Sequence, residues 1–196
     1  IPREVCLKLK SSFKLSKIQK SVLVGTLLGD GGIRLKGKSA RLHIKHSAKQ
    51  LKLVEYKRRI FENITGMNVR LFSHQVKQKD YNFAEFVTLN HPEFLKYYRL
   101  FYPNSKKHVP TTINKILGDP LSLAVWFMDD GSAEYAGASL QTHSFSKRET
   151  DKLRGAIKLN YGIETGKRKN KGRWIIYFPK ASMPELRNLI GKLMLK

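Results

Sequence analysis

Two short segments, 100 residues apart, each place an acidic residue and a glycine directly after an apolar run. The first reads LVGTLLGDG and contains Asp30, and the second reads LAVWFMDDG and contains Asp130. Mg²⁺ prefers oxygen ligands and takes only one or two protein carboxylates when substrate phosphates supply the rest. Two such ions activate water and stabilise the charge that develops when a phosphodiester is hydrolysed. The paired segments therefore predict a duplicated unit with one metal-binding carboxylate in each copy.

A structural interpretation of the same segments is also open. Asp and Gly are common in turns, so turn chemistry at the end of a helix explains either segment alone. An Asp-Gly pair in matching positions of two repeats favours the metal site. In addition, an acid at a helix C-terminus interacts unfavourably with the helix macrodipole unless a cation compensates its charge. Gly25 and Gly29 are four residues apart, a spacing that lets two helices approach closely.

The charge of the chain indicates a polyanionic partner. Its 196 residues contain 38 Lys and Arg against 15 Asp and Glu, a formal net charge of +23 that is spread along the whole length. Such an excess favours nucleic acid. A membrane is not expected as a partner, since no apolar run approaches the ~18 residues that span a bilayer and no signal peptide is apparent. The single Cys6 excludes an internal disulfide and a cysteine-based zinc site.

Hydrophobic periodicity predicts one order of elements used twice, αββαββα in each half, which is an α+β fold with a four-stranded antiparallel sheet per half. The elements expected first are a helix over 18–30, strands over 33–36 and 40–46, a helix over 50–61, strands over 68–76 and 81–89, and a helix over 92–102. Those expected second are a helix over 122–130, a strand over 138–145, a helix over 147–161, strands over 163–168 and 173–178, and a helix from 182. We expect halves over 1–103 and 121–196 and a linker over 104–120.

Apolar and basic side chains alternate along the first two predicted strands. Ile33, Leu35, Leu42 and Ile44 fall on one side and basic residues on the other, so one sheet face is expected to be apolar and the other basic. Arg and Lys neutralise phosphates and read guanine, whereas Gln and Asn read adenine. The candidate DNA-binding residues are Arg34, Lys36, Arg41, His43, Arg70, His74, Gln75 and Gln78 in the first half, and Lys167, Arg168, Lys169, Asn170, Lys171 and Arg173 in the second.

The two segments resemble the motifs of the LAGLIDADG homing endonucleases, and the form at 123–131 is similar to that of intron-encoded, organellar members. The resemblance covers nearly the whole chain. It implies a monomer with two pseudo-symmetric copies, whose motif helices pack at the centre and whose sheets form a saddle over the DNA major groove. It also implies that Asp30 and Asp130 bind Mg²⁺, for which Mn²⁺ or Ca²⁺ substitutes in binding, and that the carbonyl groups of Gly29 and Asp129 assist.

The same family places polar residues around its metal centre to position water. By the resemblance, the candidates for this role are His46, His143 and Gln141. Relatives often carry Gln where this chain has His, and a lone histidine is commonly a structural residue. The segment SKKHVP at 105–110 resembles the family's basic stretch before a proline, so Lys107 is expected to stabilise the transferring phosphate. The matching lysine of the second copy is expected near the C-terminus, where Lys196 is the candidate.

The resemblance implies a Mg²⁺-dependent endonuclease that cuts both strands of a long, asymmetric DNA target and promotes intron mobility in a mitochondrion or chloroplast, or otherwise in the cytoplasm of a microbe. The main alternative is an RNA-binding maturase that uses the same fold to assist the splicing of its intron. A third possibility is a basic nucleic-acid-binding protein without catalysis, for which the repeated Asp-Gly ends are accidental. Acids at 30 and 130 favour the nuclease, because RNA binding does not require them.

Overall fold

The computed structural model describes residues 13–195. Cys6 and Lys196, which both carried predictions from the sequence, lie outside the described residues. None of the helices between 13 and 195 is both long and apolar enough to cross a lipid bilayer.

The chain divides into two compact units, and the division falls within the first helix, α1 (Lys17–Leu28). Of the described residues, the first unit contains 13–20 together with Asp30–Arg99. The second contains Ser21–Gly29 and 100–195. Most of α1 therefore belongs to the second unit, although the residues that follow it belong to the first.

The first unit is built on a four-stranded antiparallel sheet. Its elements after α1 are β1 (Gly32–Lys36), β2 (Ser39–Ser47), α2 (Leu51–Ile60), β3 (Arg70–Val76), β4 (Lys79–Val87) and α3 (Pro92–Phe101). The strand order is β1-β2-β4-β3. Leu42 and Ile44 of β2, Phe86 of β4 and Val54 of α2 are fully buried. One face of the sheet therefore packs into the core and the other stays open, as is common for antiparallel sheets.

The second unit repeats this order. Its elements are α4 (Ile113–Ile116), α5 (Pro120–Asp130), β5 (Gly131–Glu134), β6 (Gly137–Gln141), α6 (Lys147–Tyr161), β7 (Gly166–Asn170), β8 (Arg173–Phe178) and α7 (Met183–Ile190). The strand order β5-β6-β8-β7 matches that of the first sheet. Leu140, Ile176, Phe178 and Leu153 form part of its core. The predicted α+β fold with two αββαββα repeats is confirmed.

Within the second unit, α1 and α5 approach each other closely. A Cβ atom on Gly25 would lie 2.8 Å from the Cβ of Val125, and one on Gly29 would lie 2.6 Å from the Cβ of Asp129. Side chains do not tolerate such distances, so only glycine lets the backbones meet here. The prediction drawn from the spacing of Gly25 and Gly29 is confirmed.

The second sheet differs from its prediction at both ends of its first hairpin. Residues 131–134 form β5, a strand that the expected elements did not include. The strand predicted over 138–145 ends at Gln141, because residues 142–145 form a turn in which the backbone N–H of Phe145 donates to the carbonyl oxygen of Thr142 at 2.9 Å. The hydroxyl of Thr142 donates to the carbonyl oxygen of Trp174 at 2.7 Å.

Two further expectations differ from the structure, one at an edge strand and one in the predicted linker. Leu35 was expected on the apolar side with Ile33, yet it is 48% exposed because it lies near the end of the edge strand β1. Residues 104–120, predicted as a linker, contain the helical turn α4, which buries Ile113.

Candidate active site and nucleic-acid interface

Asp30 follows the end of α1 and lies beside a buried histidine. His46 occupies the buried face of β2, in line with Leu42 and Ile44, and is only 3% exposed. Its Nδ1 lies 3.6 Å from Oδ2 of Asp30, whose side chain is 53% exposed. The strand therefore holds a predicted water-positioning residue next to an accessible carboxylate.

His46 is uncharged at neutral pH. Burial lowers its pKa to about 4 with help from the positive charge of Lys57, while the Asp30 charge and a hydrogen bond with Gln50 oppose the shift. A neutral imidazole has one N–H donor and one acceptor nitrogen. Nζ of Lys57 lies 3.4 Å from Nε2 of His46. Because an ammonium group only donates, Nε2 is assigned as the acceptor, which puts the N–H on Nδ1, facing Asp30.

Lys57 is the residue that the sequence analysis missed. It lies on α2 and is fully buried, as is Val54, next to the buried Leu53. A signal was present, since Lys57 stands three residues after Val54 and four before Phe61, and this helical spacing puts it on the apolar face. Lysines are almost never fully buried unless they are paired, so a lysine in this register marks a candidate polar contact.

Lys107, the residue predicted to stabilise the transferring phosphate, reaches the end of α1. Nζ of Lys107 donates a 2.6 Å hydrogen bond to the carbonyl oxygen of Gly29. Lys107 also lines a pocket of about 510 Å³ together with His143 and Glu149. The fold therefore brings two predicted site residues, Lys107 and His143, into one pocket. Asp130, the last residue of α5, is half-buried.

Glu149 fixes one wall of this pocket. Its carboxylate accepts hydrogen bonds from the backbone N–H groups of Val109 and Ser146, both at 2.9 Å, and contacts Nδ1 of His108 at 3.2 Å. Burial alone would raise the pKa of Glu149, but the hydrogen bonds from Ser146 and Val109 hold it below its ordinary value. Ser146 and Glu149 also form the capping box that begins α6. One carboxylate thus ties the segment that carries Lys107 to α6.

The strand registers identify the counterpart of His46 in the second unit. Counted from the acid of each motif, the β1–β2 and β5–β6 registers place Thr142 at the position of His46. Thr142 is 1% exposed and its hydroxyl lies 3.5 Å from that of Thr150. His143 lies one residue further, beyond the end of β6, so it is not on the strand that carries Gln141.

His143 and Gln141 keep hydrogen-bonding capacity at buried atoms. Nε2 of His143 and Oε1 of Gln141 are buried and have no hydrogen-bond partner among residues 13–195. Nε2 of Gln141 donates to Oγ of Ser139 at 3.3 Å. Gln141 pairs with Ile175 and lies on the open face of the second sheet. Such capacity is what a role in positioning water requires.

Cations cover the open face of the first sheet. A pocket of about 530 Å³ on this face is lined in part by Arg34, Arg41, His43, Lys45, Arg70 and Glu85. Lys36, two residues after Arg34, lies on the same face. Glu85 accepts from Nε2 of His43 and from Nε of Arg70, both at 3.1 Å. Burial would raise the pKa of Glu85, but these hydrogen bonds hold it below its ordinary value, so one charged carboxylate orients two predicted DNA-binding residues.

Three further candidate DNA-binding residues in the β3–β4 hairpin do not share one face. His74 pairs with Tyr81 on the open face. Neighbouring residues of a strand point to opposite faces, so Gln75 lies on the other face. Gln78 forms the hairpin turn with Lys77, and both have positive φ, 62° and 48°. The structure therefore groups only His74 with the cations of the open face.

The basic hairpin of the second unit is divided in the same way. The residues that lie on its open face are Arg168, Asn170 and Arg173. Lys167 and Lys169 lie on the face toward α6, where their Nζ atoms are 5.6 and 5.5 Å from the centre of the Trp174 ring. Lys167 also forms an ion pair with Asp151 of α6. Lys171 lies in the turn with φ 48°. Period-two alternation splits a run that is continuous in sequence.

The family assignment follows from comparison with known proteins. A model of the family described as LAGLIDADG DNA endonuclease family matches residues 20–186. The chain belongs to this family. The match spans both motif segments and both sheets of the LAGLIDADG chain, so the family assignment applies to the repeat as a whole and not to a single motif.

Relatives of this LAGLIDADG chain include proteins named as a maturase, a RecA protein and an endonuclease. Cytochrome b mRNA maturase bI2 of Debaryomyces hansenii is 27% identical over 180 residues, which cover 88% of this chain and 68% of the maturase. Protein RecA of Mycolicibacterium flavescens is 28% identical over 200 residues, but the chain spans only 45% of its length. Intron-encoded endonuclease ai4 of Dictyostelium discoideum is 32% identical over 136 residues, 67% of this chain and 84% of that protein.

Solved LAGLIDADG structures share the fold. The homing endonuclease I-WcaI bound to its DNA recognition sequence matches with a TM-score of 0.91 and 25% identity, over 99% of this chain and 89% of that one. I-DmoI in complex with DNA and Mn matches with a TM-score of 0.53 and 13% identity, over 88% of this chain and 96% of that one.

The oxygen donors at the motif ends fit a hard divalent cation. Asp30 and Asp130 provide one carboxylate per motif, and the Gly29 carbonyl oxygen already faces a cation, the Lys107 ammonium. Within residues 13–195, no three His, Cys, Asp or Glu side chains converge as a metal site. Zinc sites need such a cluster, whereas Mg²⁺ shares its coordination with water and substrate phosphates.

Proposed function

We propose that this chain is a Mg²⁺-dependent homing endonuclease that makes a double-strand break at a long, asymmetric DNA site. One observation carries the proposal. Each αββαββα repeat has a carboxylate at the end of its motif helix, Asp30 just after α1 and Asp130 as the last residue of α5. Each repeat also has a sheet whose open face carries cations. A carboxylate for metal and a cationic face for phosphates are the two parts that hydrolysis of DNA requires.

The proposed chemistry assigns roles to the motif ends. Asp30 and Asp130 hold Mg²⁺, the carbonyl groups of Gly29 and Asp129 assist, and Mn²⁺ or Ca²⁺ substitutes in binding. The bound metal would supply charge stabilisation and an activated water. Lys107 stabilises charge on the transferring phosphate. The polar residues proposed to orient water are His46, His143 and Gln141.

The DNA interface is proposed on the two open faces. In the first unit it includes the cations grouped around Glu85, where His43 and Arg70 are held by hydrogen bonds. In the second it includes Arg168 and Arg173. Because these contacts displace counterions from phosphates, affinity should fall steeply with salt. A salt-independent association constant would contradict this interface.

The cellular role follows the same proposal. Both motifs lie in one chain, which supports action as a monomer. One relative is named an intron-encoded endonuclease and another a cytochrome b mRNA maturase, which supports a role in intron mobility in a mitochondrion or chloroplast.

The deciding experiment incubates the purified chain with Mg²⁺ and a supercoiled plasmid that carries the uninterrupted form of its host gene. A parallel reaction contains EDTA, and another uses the double variant Asp30→Asn, Asp130→Asn. One double-strand break at a unique position, absent from both controls, is the expected result. Cleavage that persists in EDTA or in the double variant would refute the proposal.

A maturase is the second candidate, favoured by the relationship to maturase bI2. In that case the chain should bind its own intron RNA tightly and accelerate splicing, and the Asp30→Asn variant should keep that activity. The two functions are separable, since loss of the acids would abolish DNA cleavage but leave RNA binding unchanged.

A further inference from the structure

The first unit buries a cation that the proposed chemistry does not use. Lys57 of α2 is fully buried, and its Nζ lies 3.4 Å from Nε2 of His46. Burying an ammonium group costs free energy unless hydrogen bonds compensate the loss of water. An apolar side chain would fill the same volume without that cost, so the contact of Lys57 with His46 calls for a functional reason.

The second unit shows that the fold accepts the apolar alternative. Lys57 follows His46 by eleven residues, and Leu153 follows Thr142, the counterpart of His46, by the same eleven. Leu153 is also fully buried on its helix. The two positions are therefore matched in strand, helix and burial, and they differ in whether a cation contacts the strand residue.

We infer that Lys57 is a positioning residue that acts through His46 on Asp30. The inference rests on the proposed function and concerns the first unit. The ammonium donates toward Nε2, which leaves the N–H on Nδ1, and Nδ1 lies 3.6 Å from Oδ2 of Asp30. Partners that hydrogen-bond a metal ligand commonly change metal affinity or activity by about 10- to 100-fold when they are removed, and we expect a loss in this range for Lys57, which acts on Asp30 through His46.

The inference predicts that loss of Lys57 affects one DNA strand. Lys57→Met keeps an unbranched side chain of similar length but removes the donor. Cleavage of the strand that depends on Asp30 should slow by about 10- to 100-fold, while the other strand is cut at the parent rate. The strand is identified independently as the one left intact by Asp30→Asn. On a supercoiled plasmid, nicked circles should therefore accumulate before linear product.

Two matched variants separate positioning from packing. Leu153→Met places the same side chain at the corresponding position of the second unit and should leave both strand rates within about twofold of the parent. Lys57→Gln retains a donor for Nε2 and should restore the strand rate to within about threefold of the parent. Each variant is first tested for target binding, which confirms that it is folded.

A double variant tests whether Lys57 acts through the histidine. In a His46→Gln background, Lys57→Met should add less than about twofold, because the two residues belong to one coupled path. Three results would overturn the inference. The first is equal slowing of both strands by Lys57→Met, and the second is an undiminished effect of Lys57→Met in the His46→Gln background. The third is a Lys57→Gln variant that cuts as slowly as Lys57→Met. If Lys57→Met does not bind the target, Lys57→Gln decides, and loss of binding or equal slowing of both strands in that variant overturns the inference.

Cleavage by the parent protein distinguishes failure of the proposed function from failure of the role inferred for Lys57. If the parent does not cut DNA in Mg²⁺, the proposed endonuclease function fails. If the parent cuts both strands and Lys57→Met cuts them in the parent ratio, only the role of Lys57 fails.

Discussion

Beside Asp30 the first unit buries His46 and Lys57, whereas the second unit has Thr142 and Leu153 at the corresponding strand and helix positions. The imidazole of His46 faces a carboxylate. The hydroxyl of Thr142 is instead engaged by a backbone carbonyl. The two units therefore share a backbone fold but differ in the polar residues around their acids. We expect the two strands of a target to be cut at different rates.

The open faces of the sheets differ as well. On the open face of the first sheet, several cationic side chains lie around Glu85. The second keeps Arg168 and Arg173, while Lys167 and Lys169 lie on the face toward α6. A basic run in sequence is thus a weaker guide to a DNA interface than the strand register.

The largest expected effect comes from the motif acids. Asp30→Asn should slow the cutting of one strand by about 1000-fold and Asp130→Asn that of the other, because each removes the carboxylate of one proposed metal site, worth several kcal/mol in the transition state. End-labelled duplexes report each strand separately. Target affinity in Ca²⁺ serves as the control, and a parallel loss of binding and cleavage would contradict the metal assignment.

A second comparison contrasts the motif helix α1 with the outer helix α6 of the same unit. Gly25→Ala should lower the free energy of unfolding by about 1–3 kcal/mol, because its Cβ would overlap α5. Gly155→Ala, where a Cβ meets nothing within 4 Å, should raise it by about 0.5–1 kcal/mol through helix propensity. Urea denaturation measures both, and stabilisation by Gly25→Ala would contradict the close helix packing.

A third comparison tests the two faces of β7. Arg168→Ala should weaken target binding by about tenfold and reduce the salt slope by about 0.9, as expected for the loss of one phosphate contact. Lys169→Ala removes the same charge from the next residue, on the opposite face, and should leave the slope unchanged. Equal slopes for the two variants would show that the face does not matter.

The smallest effect concerns how α2 and α6 begin. Gln50 gives α2 no side-chain cap, whereas α6 starts with a capping box that contains Glu149. Glu149→Gln should cost about 1 kcal/mol of stability at neutral pH. Because the folded pKa of Glu149 is depressed, its contribution is complete above the ordinary value of 4.5 and is lost as pH falls through the folded pKa. Thermal melting across pH 3–7 tests this, and a pH-independent difference would contradict it.

Much of the molecule was predictable from local patterns. Period-two and helical spacing predicted the repeated order of elements, and the pair Gly25 and Gly29 predicted the close helices. The strand over 138–145 was predicted too long because Ala138, Leu140 and Thr142 alternate with more polar residues. In the structure the chain turns over 142–145, and the hydroxyl of Thr142 donates to the carbonyl oxygen of the distant Trp174. The contact with Trp174 has no local signature.

The sequence by itself determined the fold class, the strong positive charge and the acids of the two motif segments, because periodicity, composition and motif spacing are properties of neighbouring residues. Only the tertiary structure decided that His46 contacts Lys57, that Thr142 and not His143 is its counterpart, and which residues of the basic hairpin stay on the open face. These facts depend on the register between strands and on helix–sheet packing. Both are long-range pairings, in which a shift of one residue moves every side chain of a strand to the other face.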